Sequence, residues 1–316
     1  MRYFELAGVS ALSAFAMFAV LGSAVAWCAA AMITRYGVAS PPVARERWLF
    51  LARILPAIVP VTAAFGVALP IFLWFEDKGT TESVSRTLWF ATAAGAFLLL
   101  GGAWRAVSAW RTTARVMDEW QRRGRRLDGL DTPMPAFAIE EAFPLVAVAG
   151  ILKPTLFVAE RVLRECTADE VAAMVSHECA HVSARDNVKR LLIRACPDVF
   201  GAPRQLDRAW QAAAEEAADA RVAIVNPRAR LDLAQALIHV ARLAPASAPA
   251  LMSAFYLGGS IEDRVRRLVD PPAASPAPSL WMRLAVSAAV ACLVLAIVLA
   301  APAVHDVMEE AVRFLP

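Results

Sequence analysis

CTADEVAAMVSHECAHVSARDN, residues 166–187, decides how the rest of the chain is read. Thr167 followed three residues later by Glu170 fits a capping box, and Asp169 adds negative charge to the first turn, so a helix starts here. Inside it His177, Glu178 and His181 spell H-E-x-x-H. The 3.6-residue period sets both histidines on one face, one turn apart, where both imidazoles reach one metal ion. Glu178 lies beside that face, free to accept a proton from water without being a ligand. In a chain with only four histidines, a chance match to this pattern is expected in under roughly 1% of cases.

Two imidazoles are too few for a catalytic zinc, which takes three protein ligands and keeps a position open. The next acidic cluster is AAAEEAADARVA, with Glu215, Glu216 and Asp219 in a helix-prone run. Glu215 and Asp219 are four apart and share a face, so a second helix crossing the first offers Glu215 as third ligand and Asp219 as an acceptor for a ligand imidazole. Glu216 points about 100° away and is the weaker choice. His239, within the apolar run LDLAQALIHVARLA, reads as a core or surface histidine, with a substrate or transition-state contact as its lesser role. Five cysteines, at 28, 166, 179, 196 and 292, make neither a disulfide framework nor a paired metal spacing. Cys179 occupies a variable position of the zinc motif and reads as a small packing residue.

Composition points to a membrane. The 316 residues are 59% hydrophobic and 19% charged, with mean hydropathy +0.50, too apolar for an ordinary soluble protein. Residues 6–34 form an uncharged first span. A second follows at about Leu51–Trp74, with Pro56, Pro60 and Pro70 tolerated as they are in membrane helices. A third covers Leu88–Trp104, where Gly101 and Gly102 permit close helix packing. Leu280–Ala301 is expected to be a fourth. Arginines gather between Arg35 and Arg47 and again from Arg105 to Arg126, while the Glu76–Arg86 loop is slightly acidic. The positive-inside rule then puts both termini outside and the zinc domain in the cytoplasm. The net charge of +3 without a nucleic-acid motif reads as membrane orientation, not nucleic-acid binding.

Between the spans, LVAVAG (145–150) reads as a strand and TLFVAERVL (155–163) as a strand running into a short helix. VKRLLIRACPDVF, after Asn187, reads as an amphipathic helix lying on the membrane or the zinc domain. Helices are expected over Leu206–Ile224 and Leu231–Leu243. The tract around Pro245, Ser247 and Pro249 is a candidate flap, and DPPAASPAPS (270–279) is a linker by composition.

The chain resembles the integral-membrane zinc metallopeptidases of the gluzincin type, the group containing antibiotic-sensing receptor peptidases and the related CAAX-prenyl and heat-shock membrane proteases. The resemblance rests on His177–His181, the trailing Asp186, E-E-A-A-D at 215–219, the stretch GILKPTLFVAERVL and the late GGSIEDRVRRLVD (258–270). It implies Zn2+ held by His177, His181 and Glu215, and Glu178 as general base. Asp219 and Asp186 are supporting residues, Asp186 more as a tie for the helix end than as a ligand. An extra oxyanion donor is left open between His239 and Arg264. An edge strand near the zinc helix would hold the substrate backbone extended. The receptor members carry a penicillin-binding domain after the last span, where only Pro302–Pro316 follows here, so direct β-lactam sensing is not expected.

The expectation is therefore a mostly helical membrane protein with about four transmembrane helices and a cytoplasmic α+β zincin-type metallopeptidase domain. Its divisions are a transmembrane region at 1–108, the peptidase domain at 109–270, a linker at 271–279, a transmembrane helix at 280–301 and an external tail at 302–316. The expected activity is a zinc metalloendopeptidase of the bacterial inner membrane, in regulatory or quality-control proteolysis. Its substrate would be a cytoplasmic or membrane-associated protein or peptide. The alternative is a catalytically silent membrane adaptor built on the same fold.

Overall fold

The first apolar run folds as one helix, α1 (Arg2–Tyr36). A computed structural model describes residues 2–36, 41–76, 78, 84–141, 143–197, 199, 203–243 and 261–271. The expected fourth span, its linker beyond residue 271, the external tail and the candidate flap lie outside the described residues. Pro41 is extended and Pro42 opens α2 (Pro42–Val61), because proline at the first helical positions gives up only an amide hydrogen that has no partner there. The helix thus begins well before Leu51 and takes in Arg45, Glu46 and Arg53. Prolines 56 and 60 interrupt its hydrogen-bond ladder, and a π-helical stretch (Thr62–Ala68) carries the chain into α3 (Leu69–Phe75).

Helix α4 (Arg86–Arg123) starts on a Ser85 side-chain cap and runs without a break through the arginine-rich segment. The expected third span and the basic stretch after it are one element, so the division at residue 108 falls inside a helix. The described residues hold three helical segments long and apolar enough to cross a membrane, Tyr3–Cys28, Pro42–Phe75 and Arg86–Arg123. On α4, Phe90, Phe97 and Trp104 recur every seven residues and are each at least 71% exposed, the stripe expected of a helix facing lipid.

Beyond α4 a small sheet has the order β1 (Arg125–Arg126), β2 (Ala136–Ile139), β4 (Thr155–Ala159) and β3 (Val146–Ala149). Strands β2 and β4 are parallel, the other two pairs antiparallel. All of β4 is buried, which is why TLFVA reads as an unbroken apolar run. Strand β3 is at the edge, half-buried along its length. Then come α5 (Glu160–Glu165), α6 (Ala168–Ser183), α7 (Asp186–Ala195), α8 (Pro203–Val225), α9 (Ala229–Leu243) and α10 (Ile261–Val269). Arg185, with φ of 57°, is left-handed and breaks the chain between α6 and α7. The 166–187 stretch therefore spans a corner as well as a helix.

The main core joins the sheet to α6, α9 and α10, with Trp120 of α4 5.1 Å from Phe157 of β4. A second cluster puts Leu49 and Ala52 of α2 against Ile193 of α7 and Trp210 of α8, so an apolar helix packs directly on the two helices that flank the site. Of the glycine pair, Gly102 makes the close approach, and it does so to α7: a Cβ there would collide with the Ala195 carbonyl, while Gly101 meets only the Arg105 side chain. Gly102→Leu is expected to cost about 1–3 kcal/mol in unfolding experiments on detergent-purified protein, with Gly101→Ala near wild type. Equal stability of the two variants would contradict this contact.

Candidate metal centre

Helix α6 is held at its head by the capping box. The Thr167 side chain accepts from the Glu170 amide at 3.3 Å, and Glu170 Oε2 accepts from the Thr167 amide at 2.8 Å. Two turns on, His177 and His181 turn their Nε2 atoms to within 3.1 Å of each other. Helix α8 crosses and sets Glu215 against both, Oε2 3.3 Å from His177 Nε2 and Oε1 3.5 Å from His181 Nε2. Tetrahedral zinc with bonds near 2 Å separates its ligand atoms by about 3.3 Å. This triangle of donors thus fits such an ion with little movement, and the three residues can hold a metal together.

The outer ring nitrogens are engaged as metal-binding imidazoles require. His181 Nδ1 lies 2.7 Å from Asp186 Oδ2. His177 Nδ1 lies 2.9 Å from Asp219 Oδ1, close in distance though off-angle for a well-formed hydrogen bond. Both contacts favour the proton on Nδ1, leaving Nε2 as donor to a cation. Asp186, 1% exposed, is thus more than a tie for the helix end: from the first turn of α7 it orients the His181 ring. Buried Arg264 of α10 grips Asp219 through Nε at 3.0 Å and Nη2 at 2.7 Å, and its Nη1 is 3.2 Å from Glu215 Oε2.

These contacts shift the titrating groups in consistent directions. Burial alone pushes His181 down, but the Glu215 charge and the bonds with Asp186 and Glu215 carry it up to about 10. For His177 burial is likewise outweighed, by contacts with Asp219 and Glu215, and its pKa is raised. Burial raises Glu215, yet the charge of His181, its bonds to both imidazoles and Arg264 hold it well below the usual carboxylate range. Asp219 falls to about 2, with Arg264 the strongest influence against burial. The centre is a negatively poised cage that favours a cation.

A cavity of about 360 Å³ opens beside the donors, lined among others by Glu178, Val148, Asn187 and Arg190. Glu178 Oε2 accepts from the Val148 amide at 3.0 Å. Asn187 Nδ2 donates to the carbonyls of Val148 and Gly150 at 3.3 and 2.9 Å, tying the edge strand to α7. Ala159 donates to the Leu145 carbonyl, so alternation along the ladder turns the backbone groups of Val146 and Val148 away from β4, toward the outer edge.

His239 is not a wall of this cavity: its Nδ1 is 3.3 Å from Glu170 Oε2 at the head of α6. Together with Cys166, these residues form another grouping of ligand-type side chains, in which Glu170 is already committed to the helix cap. The Cys166 thiol there is pushed up to about 11 by burial and by Glu170. Arg264, the other candidate oxyanion donor, points its guanidinium at Asp219 and Glu215. Glu216 turns away from the triangle to pair with Arg45 and, at 3.5 Å, with Arg267. Cys179 packs against the core. Asn187, Val148 and Arg190 escaped the sequence reading; the only signal for them was their nearness to the motif and to the strand.

No curated protein matches the chain. Among solved structures it is similar to the crystal structure of S. mikatae Ste24p, at 12% identity and a TM-score of 0.39, covering 83% of this chain and 98% of that one. Residues 117–251, the segment that carries both histidines, Glu178 and Glu215, match the profile of peptidase family M48.

Proposed function

We propose that this protein is a membrane-bound zinc endopeptidase acting on protein or peptide substrates. The observation that carries the reading is the convergence of His177, His181 and Glu215 on one point, with Glu178 on the same cavity beside the edge strand β3. His177, His181 and Glu215 hold the zinc, which when bound supplies Lewis-acid polarisation to water and to the scissile carbonyl. An extended substrate segment adds to the outer edge of β3, pairing with the amide and carbonyl of Val146. Glu178, held by the Val148 amide through Oε2, takes the water proton on its carboxylate and passes it to the departing amine. The same strand that aligns the peptide thus also fixes the base. Arg190, on the cavity wall with its side chain 48% exposed and 3.9 Å from Glu215, is placed to donate to the developing oxyanion. Asp186 and Asp219 orient the two imidazoles.

The basic ends of α2 and α4 adjoin the M48 domain, which supports a cytoplasmic peptidase domain in a bacterial inner membrane by the positive-inside rule. The test is zinc content and cleavage of a panel of unfolded proteins by detergent-purified wild type and Glu215→Ala. The expected result is one zinc per chain and cleavage in wild type, with both lost in the variant. Wild type without zinc, or Glu215→Ala with undiminished affinity, would overturn the assignment.

A further inference from the structure

Glu46 lies in the first turns of α2, ahead of the membrane-crossing stretch, and is 1% exposed. Its Oε1 accepts from Lys189 Nζ at 2.8 Å and from the Trp210 indole at 2.9 Å. Its Oε2 is buried with no hydrogen-bond partner. A carboxylate so placed is a net cost unless its charge is used, since an apolar side chain would pack against Trp210 without the desolvation penalty. Docking of α2 has other ties as well. Arg53 reaches Asp207 of α8 at 2.5 Å, and Arg45 pairs with Glu216 of the same helix.

The use of the charge shows in what Lys189 touches. Its ammonium is shared, 2.8 Å from Glu46 Oε1 and 3.0 Å from Asp186 Oδ1, while Asp186 Oδ2 lies 2.7 Å from His181 Nδ1. An ammonium drawn wholly onto Asp186 would withdraw charge from that carboxylate and weaken its hold on the imidazole N–H. Sharing it with a second carboxylate leaves Asp186 the stronger acceptor, which makes His181 Nε2 the stronger donor to a metal. We propose that Glu46 is a positioning residue of the metal centre, holding Lys189 off Asp186 so that a membrane helix sets the ligand strength of His181. The proposal rests on the zinc reading above.

The test measures zinc affinity by chelator competition, and the cobalt-substituted absorption spectrum, on full-length protein in detergent. Glu46→Gln keeps the shape and the Trp210 contact but frees Lys189, and it is expected to weaken zinc binding about tenfold and alter the cobalt spectrum. Glu46→Gln with Lys189→Met restores the wild-type net charge and leaves Asp186 to His181 alone, so affinity should return to within about threefold of wild type. Arg53→Met breaks a separate tie between α2 and α8, the one to Asp207, and should lower the unfolding temperature with little change in zinc affinity. If Glu46→Gln binds zinc as wild type does, or if the double variant is weaker still, the proposal fails while the zinc reading stands. Loss of affinity in Arg53→Met equal to that in Glu46→Gln would reduce Glu46 to helix docking and also overturn it. A Glu46→Gln protein that does not fold unless Lys189 is also replaced would count for the charge-sharing account, and one that fails in both forms against it. A wild type that takes up no zinc would remove the reading on which the proposal rests.

Discussion

Glu178→Gln should bind zinc with wild-type stoichiometry and lose about 10²–10⁴-fold in turnover. Glutamine preserves the side-chain shape, and its carbonyl oxygen can still accept from the Val148 amide that holds Oε2 at 3.0 Å. What is lost is the basic oxygen that, on the proposed mechanism, receives the water proton. Glu178 is not one of the three converging donors, so the metal should stay. Zinc content from elemental analysis and cleavage rates on the same preparation check the two halves separately. A variant with full activity would remove Glu178 from the chemistry and shift the proton transfer to another group. A variant that loses zinc would show that the carboxylate contributes to the metal site itself.

The placement of His177, Glu178 and His181 could be read from spacing because they belong to one helix, and helical periodicity is a local property. Glu215 and Asp219 were legible for the same reason, as partners on one face of a second helix. Where the site depends on how helices are brought together, the sequence was mute. Lys189 meets Glu46 across 143 positions of chain, and nothing in RERWLF marks that glutamate as buried. Asp186 was legible as a helix-end residue, but its turn back to His181 follows from the left-handed Arg185, and an arginine is a poor advertisement for that conformation. His239 shared the apolar periodicity of α9, yet its position along the helix put it at the capping end of α6, away from the cavity. The length of α4 was hidden by its own charge: hydropathy falls off after Trp104, whereas helix propensity does not. Arginines suited to the membrane boundary therefore continue the helix as far as the small sheet.

Arg264→Met should be the most destabilising single change near the site. The guanidinium is 4% exposed and is bonded to two carboxylates that are themselves nearly buried, Asp219 through two nitrogens and Glu215 through the third. Methionine has a comparable length but no charge, and removing one partner from a buried ionic group typically costs about 3–5 kcal/mol. In the presence of a chelator that full loss is expected in denaturant unfolding followed by tryptophan fluorescence. With zinc the loss should be smaller, because the ion supplies positive charge to Glu215 where the arginine did. The acid side gives an independent check of sign. Asp219 is held at about 2 against an ordinary value of 3.8, so its contribution to wild-type stability is present above about pH 4 and is lost as the pH falls through 2. Without Arg264 the strongest influence against burial is gone and His177 alone opposes it, so the variant keeps less of the contribution at neutral pH. The stability gap between wild type and variant should therefore be widest near pH 7 and narrow between pH 4 and pH 2. A gap independent of both pH and zinc would mean that Arg264 acts by filling space, and that its charge has no part in assembling the centre.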